Sequence, residues 1–263
     1  MTLPVAAGVE FGLGLIGIGK PWGFANPAVP DERQARALLE RAFALGVRYF
    51  DTAPSYGLSE ERLGRFLGAL TPAERGAVCI ATKFGEHWDA AKAEPFVDHS
   101  FDALARSLDG SIARLGRIDF LQLHKTTPAV LRSRDLARAW EYAAALGITA
   151  IGASVSDVES AALAIADAAY GILQFPYNMA QQTFADVLDR AAARGMKVAI
   201  NRPFGMGRML YENRELSKAD AFGFILRKKF QGVILSGTKS PEHLEENWRA
   251  FSEAVVARPE TPR

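Results

Sequence analysis

Asp51 and Tyr56 lie close together in the stretch Arg48-Tyr49-Phe50-Asp51-Thr52-Ala53-Pro54-Ser55-Tyr56-Gly57, where an apolar run gives way to a Pro/Ser/Gly turn. Two more strongly polar side chains close apolar runs of their own: Lys83 after Val78–Thr82, and His124 after Ile118–Leu123. A tyrosine phenol titrates near about 10, so alone it is a weak acid at neutral pH. A neighbouring ammonium favours the phenolate and makes the phenol a better proton donor. A dry ammonium in turn needs a carboxylate, which Asp51 supplies. An imidazole hydrogen-bonds and polarises a carbonyl oxygen. Together these are the parts of a site that protonates an oxygen as hydride reaches its carbon. Singly, each has an ordinary explanation: a helix cap, a packed turn, a solvated lysine. Their weight comes from their joint placement at strand ends.

The elements that position them alternate strictly. The Gly-rich stretch Leu13-Gly14-Leu15-Ile16-Gly17-Ile18-Gly19-Lys20-Pro21-Trp22 reads as a short strand ending in a loop. Its GxGxG spacing is not a dinucleotide fingerprint, because no helix start follows directly. Further strands are expected at Val47–Asp51, Val78–Thr82, Ile118–Leu123, Ile148–Ala153, Gly171–Phe175, Lys197–Ile200 and Gly232–Leu235. Helices are expected from Asp31 to Gly46, from an N-cap at Ser59, and at Asp98–Leu115, Ala129–Leu146, Asp157–Ala169, Thr183–Arg194, Lys218–Lys229 and Ser240–Val256, with a longer loop at Glu86–Pro95. Strands apolar nearly throughout are covered on both faces. Eight β/α units in 263 residues predict an α/β chain forming a single (β/α)8 TIM barrel, one domain over residues 1–263. In such a barrel the carboxyl ends of all strands meet on one face, bringing Asp51, Tyr56, Lys83 and His124 together. The alternative, an open doubly wound sheet, usually places its nucleotide loop after the first strand, and this chain does not.

Composition narrows the partners. Apolar residues make up 49% and charged residues 23%, and the net charge is +1, which points away from nucleic acid. Cys79 is the sole cysteine, so no disulfide forms within the chain, as suits a reducing, cytoplasmic setting. No signal peptide is read at Met1–Pro4, and no apolar stretch approaches membrane-spanning length. No clustered carboxylate and His set suggests a metal, which disfavours a metal-dependent lyase or hydrolase. Oligomeric state is not legible.

The motifs also resemble a family. Phe50-Asp51-Thr52-Ala53-Pro54-Ser55-Tyr56-Gly57, Ile80-Ala81-Thr82-Lys83, Asp119-Phe120-Leu121-Gln122-Leu123-His124, Ile151-Gly152-Ala153-Ser154 and Pro241–Asn247 run in the order seen in the aldo-keto reductases, NADPH-dependent (β/α)8 barrel enzymes. The resemblance implies a tetrad in which Tyr56 is the general acid, Lys83 and Asp51 tune it, and His124 orients the carbonyl of a small-molecule substrate. It implies that Ser154 and Gln174 hydrogen-bond a nicotinamide carboxamide, that Thr238-Lys239-Ser240 hold an adenosine 2′-phosphate, and that Gly237 before them is also a cofactor residue. Glu246 and Asn247 then contact adenine. Gly19 and Lys20 in the first loop, and Gly205 and Arg208 after the seventh strand, complete the expected cofactor residues.

A helix opening at Ser240-Pro241 supports the phosphate placement independently, through its free N–H groups and positive end. Three positions depart from the family: Val155 replaces an Asn, Asn201-Arg202 stand where an aromatic commonly stacks on the nicotinamide, and His243 replaces an Arg. Phe204 is the candidate to substitute in part for the aromatic, and Arg202 the candidate to contact the cofactor instead. His lacks the fork and fixed charge of Arg, so NADPH is expected while NADH stays possible. An open substrate pocket is expected, rimmed by Trp22, Tyr56, Phe84, His87, Trp88 and Lys125, because the segment after the last helix is short. A nucleotide-binding regulatory subunit with little turnover is the second reading.

Overall fold

A computed structural model describes residues 8–23 and 28–257; the N-terminal tetrapeptide and the tail from residue 258, on which two of the expectations rest, lie outside the described residues. Ten strands occur among the described residues: β1 Val9–Gly14, β2 Tyr49–Asp51, β3 Cys79–Phe84, β4 Glu86–Asp89, β5 Glu94–Val97, β6 Phe120–Leu123, β7 Ile151–Ser154, β8 Tyr170–Pro176, β9 Lys197–Asn201 and β10 Gly232–Gly237. Eight close into a parallel barrel in the order β1-β10-β9-β8-β7-β6-β3-β2. Chain order and barrel order agree, as expected for successive right-handed β–α–β crossovers.

Side-chain alternation fixes what faces inward. Tyr49, Ala81, Ile172, Ala199, Val233 and Leu235 fill the barrel interior as one cluster, with Cys79 and Phe120 against it. The intervening residues, among them Phe11, Phe50, Ile80, Leu121 and Leu173, join the larger core between strands and helices. Stepping two residues on from the interior set gives Asp51, Lys83, Gln174 and Asn201. The same parity on β6 and β7 leads through Gln122 and Gly152 to His124 and Ser154. The polar residues at strand ends are therefore the top layer of the barrel interior.

The surrounding helices follow from amphipathic spacing. In Glu32–Ala44, Ala35, Leu38, Leu39 and Ala42 are buried, and Asp31 with Gln34 forms a capping box. The helix Ser59–Ala69 carries Glu60, fully buried, onto β3: its carboxylate accepts from Thr82 at 2.5 Å and Ser111 at 2.9 Å and pairs with Arg114 at 2.6 Å. That network clamps the outer face of β3 behind Lys83.

Local structure departs from expectation at four places. Ser59 is the first helical residue rather than the N-cap; its hydroxyl bonds the Leu15 carbonyl and pairs with Thr52, tying the helix to two strand ends. Glu86–Pro95 is not a plain loop: β4 and β5 pair as an antiparallel hairpin. A single helical turn, Ile16–Gly19, follows β1 at once, and Gly19 packs so tightly that a Cβ there would lie 1.7 Å from the Tyr56 carbonyl oxygen. The expected Ala129–Leu146 helix is broken into Pro128–Leu131 and Arg134–Ala145, because Ser133 caps the second piece.

Candidate active site

The polar corner beside Tyr56 is assembled from three neighbouring strands. Asp51 ends β2, Lys83 lies near the end of β3, and His124 follows β6. Lys83 Nζ, 1% exposed, contacts both carboxylate oxygens of Asp51, at 2.9 and 2.8 Å, and the Thr52 carbonyl at 2.9 Å. Burial works against the ammonium charge, but Asp51 and Tyr56 beside it hold the Lys83 pKa above its usual value. Tyr56 comes from a short 3-10 turn, Pro54–Tyr56, and its ring centroid is 4.9 Å from Lys83 Nζ.

The sequence reading expected Lys83 to lower the Tyr56 pKa. Lys83 does pull it down, but burial is the larger effect and, with Asp51, leaves the phenol above its ordinary value. Tyr56 therefore stays protonated through neutral pH. His124 stands across from it, ring centroids 6.0 Å apart at 83°. Burial, then the charges of Lys83, Lys125 and Lys20, push the His124 pKa well below 6.5, so the ring is neutral. Lys20 reaches this corner rather than the far end of the cleft: its Nζ is 5.7 Å from the Tyr56 ring and 5.6 Å from Trp88.

From this corner a cleft of about 430 Å³ runs across the top of the barrel to Thr238 and Lys239. Its floor includes Ser154, Gln174 and Asn201. Gln174 Nε2 lies 3.5 Å from Asp51, while Gln174 Oε1 and Asn201 Oδ1 are buried without a hydrogen-bond partner among the described residues. Unpaired buried acceptors are costly unless something completes them. Two such oxygens in a cleft floor fit a ligand carrying N–H donors, such as a nicotinamide carboxamide. Arg202, in a left-handed conformation at φ 55°, sets its guanidinium 5.7 Å from the Trp22 ring, and both line the cleft. Phe204 lines it too, its ring edge-to-face with Phe222.

Other expected residues lie elsewhere. Phe84 has the opposite parity to Lys83, so it is fully buried outside the barrel, 4.7 Å from Trp140. His87 belongs to the hairpin, where Nε2 meets the Asp98 carbonyl and the ring packs on Phe96; it and Trp88 border a separate surface groove. Among the pocket residues, Trp22, Tyr56 and Lys125 line the cleft. Gly19, Gly205 and Arg208 do not, and Arg208 pairs with Glu212.

At the far end Ser240 caps the helix Pro241–Val256 by accepting from the His243 N–H, and also bonds Glu242. Glu246 pairs with Lys218, and Asn247 is turned inward to Ser236. One residue escaped sequence reading altogether. Glu86, only 6% exposed, contacts both His124 and Lys125. A lone acid directly after Lys83-Phe84-Gly85 was its only signal. Among the described residues no His/Cys/Asp/Glu group is arranged to hold a metal ion, and no helix is long and apolar enough to cross a membrane.

Residues 10–222 match the model of the aldo/keto reductase family. D-threo-aldose 1-dehydrogenase from a Pseudomonas species is 32% identical over 238 residues, 78% of this chain and 70% of its own. L-galactose dehydrogenase of Arabidopsis thaliana is 35% identical, but over 43% of this chain and only 33% of its own length. Among solved structures, PA4992 of Pseudomonas aeruginosa, assigned to the aldo-keto reductases, superposes with a TM-score of 0.78 at 26% identity, covering 93% of this chain and 90% of its own. With this match over most of its length and a closed eight-stranded barrel, the chain belongs to the aldo/keto reductase family of nicotinamide-dependent oxidoreductases acting on CH–OH and C=O groups.

Proposed function

We propose that the protein reduces an aldehyde or ketone to an alcohol, or runs the reverse oxidation, with Tyr56 as the proton donor and NADPH as the preferred reductant. The observation that carries this is the buried Asp51–Lys83 pair set beside a phenol that opens onto the cleft. When bound, the nicotinamide supplies the hydride. The chain supplies the rest. Tyr56 hydrogen-bonds the carbonyl oxygen and gives it a proton as negative charge develops there. Lys83 stabilises the phenolate left behind, because its ammonium is already held in place and needs no reorganisation. Asp51 keeps that ammonium charged in a dry setting. His124 orients the oxygen-bearing end of the substrate.

Gln174, Ser154 and Asn201 are suited to hold the carboxamide. Two features favour a cofactor with a 2′-phosphate: Lys239 lines the far end of the cleft, and the sixteen-residue helix Pro241–Val256 begins just beyond it. Asn201 instead of an aromatic makes the nicotinamide platform polar, so orientation rests on hydrogen bonds rather than stacking.

The test is fluorescence titration of the purified protein with NADPH and NADH, followed by an aldehyde and ketone panel read by loss of nicotinamide absorbance. Tighter NADPH binding with turnover of at least one carbonyl is expected. Tight binding without turnover on any carbonyl would replace this reading with a nucleotide-binding regulatory role.

A further inference from the structure

Lys20 has no part in the chemistry described so far, yet its backbone is pinned to the turn that carries Tyr56. A Cβ on Gly19 would lie 1.7 Å from the Tyr56 carbonyl oxygen, and one on Gly57 would lie 2.4 Å from the Gly19 carbonyl oxygen, so two glycines let the segments touch. The Leu58 N–H donates to that Gly19 oxygen at 3.2 Å, and the Arg62 guanidinium donates to the Ile18 carbonyl. From this fixed point the Lys20 side chain lines the cleft, its Nζ 5.7 Å from the centre of the Tyr56 ring and 5.6 Å from that of Trp88.

The other charges at this end of the cleft cancel in pairs. Lys83 is matched by Asp51, and Lys125 by Glu86 at 3.2 Å. His124 is neutral. Arg202, the other cation on the cleft, lies beside Trp22. Lys20 Nζ has only ring faces: among the described residues it makes no ion pair and no hydrogen bond. Burial works against its charge and holds its pKa below 10.5, with Glu86 opposing that effect and Lys125 adding to it. An ammonium carries three N–H donors, and an anion at Nζ offsets the cost of its burial. Glu86 sets the size of that anion. A single carboxylate balances Lys20, whereas a dianion such as phosphate also meets the repulsion of Glu86.

We propose that Lys20 is a specificity residue that binds a carboxylate on the substrate, so that the preferred carbonyl compounds are short oxoacids. This rests on Tyr56 being the donor to the carbonyl. Tyr56 then takes the carbonyl oxygen and Lys20 the carboxylate, which fixes both ends of a short chain across the corner. Because Lys20 is tied to the Tyr56 turn, the distance between the two groups is set by the backbone and selects chain length. A neutral aldehyde of the same length leaves the ammonium without its acceptor. The difference is about 10–100-fold in kcat/KM, the worth of one hydrogen bond between charged groups.

The experiment compares 4-oxobutanoate with butanal, using the full chain and NADPH. The parent is expected to prefer the oxoacid by about 10–100-fold in kcat/KM, chiefly through KM. Lys20→Met keeps the length and apolar stem of the side chain and is expected to abolish the preference, while Lys20→Arg retains most of it. A parent that does not prefer 4-oxobutanoate overturns the proposal. So does a Lys20→Met variant that keeps the parent's ratio, and a loss of NADPH affinity in that variant would then make Lys20 a cofactor contact. If the parent turns over neither aldehyde, the reductase reading fails while the carboxylate site is still decided by binding. Saturation-transfer NMR with 4-hydroxybutanoate and 1-butanol reads it without turnover. A signal for the acid that exceeds that of the alcohol in the parent and is lost in Lys20→Met upholds the site. An acid signal absent from the parent, or equal in the two proteins, overturns it. If Lys20→Met does not fold, Lys20→Gln takes its place.

Discussion

The two ends of the cleft are built on opposite principles. At the Tyr56 end the polar groups satisfy one another: Lys83 is bound to two oxygens of Asp51 and to the Thr52 carbonyl, and the helix-borne Glu60 network clamps the strand behind it. At the Gln174–Asn201 end, Gln174 Oε1 and Asn201 Oδ1 are buried and unpaired among the described residues. One end is complete within the chain and therefore preorganised, as the proposed proton transfer requires. The other carries hydrogen-bonding capacity left open among the described residues, which the proposed cofactor would complete. Catalysis and cofactor recognition should therefore respond differently to substitution, and in different observables.

The largest effect expected is from Tyr56→Phe, which keeps the ring and removes the proton. A loss of about 10²–10⁴ in kcat is expected, with NADPH affinity by fluorescence unchanged. Equal losses in both would dissolve the distinction between the two ends. Lys83→Met breaks the buried pair and strands the Asp51 charge. Urea unfolding should show destabilisation of about 3–5 kcal/mol, since an uncompensated buried charge costs far more than an exposed one.

At the other end Asn201→Ala removes an unpaired acceptor. Stability of the free protein should be unchanged or raised by about 1 kcal/mol, while cofactor affinity weakens about tenfold. A clear loss of stability would mean that this end too is internally satisfied. Lys239→Ala sharpens the same end: NADPH affinity should fall by up to about tenfold and NADH affinity should not, as for a single charge-assisted contact.

The smallest effect is on pH dependence. His124 has a folded pKa well below 6.5, so the unfolded chain binds the extra proton first as pH falls. Its contribution to stability rises with pH across the interval between the folded value and about 6.5, and is lost as acid is added. His124→Gln should flatten that part of the stability curve.

Legibility in the sequence divided along similar lines. Asp51, Lys83 and His124 were readable because each is the first strongly polar residue after an apolar run, and barrel topology gathers strand ends. The eight barrel strands and their order were readable from alternation, whereas β4 and β5 were not. Phe84 was misplaced because strand parity sends neighbours to opposite faces, so Lys83 and Phe84 were never candidates for the same pocket. His87 and Trp88 were misplaced because the segment was read as loop, whereas β4 and β5 pair and carry them to a separate groove. Glu86 was hidden by the same misreading. Ser59 looked like a cap by type and position, but its hydroxyl had better partners in Leu15 and Thr52. The net direction of the Tyr56 shift depends on how burial weighs against one nearby charge, and only coordinates give that balance.

The central claim is that a phenol protonated through neutral pH delivers the proton. The most direct measurement is the pH dependence of the single-turnover rate of carbonyl reduction at saturating NADPH. Because burial and Asp51 outweigh Lys83, the Tyr56 pKa lies above 10, and the rate should hold through neutral and mildly alkaline pH, declining only beyond that value. A decline beginning near neutrality, or a Tyr56→Phe variant that keeps the parent rate, would contradict the assignment.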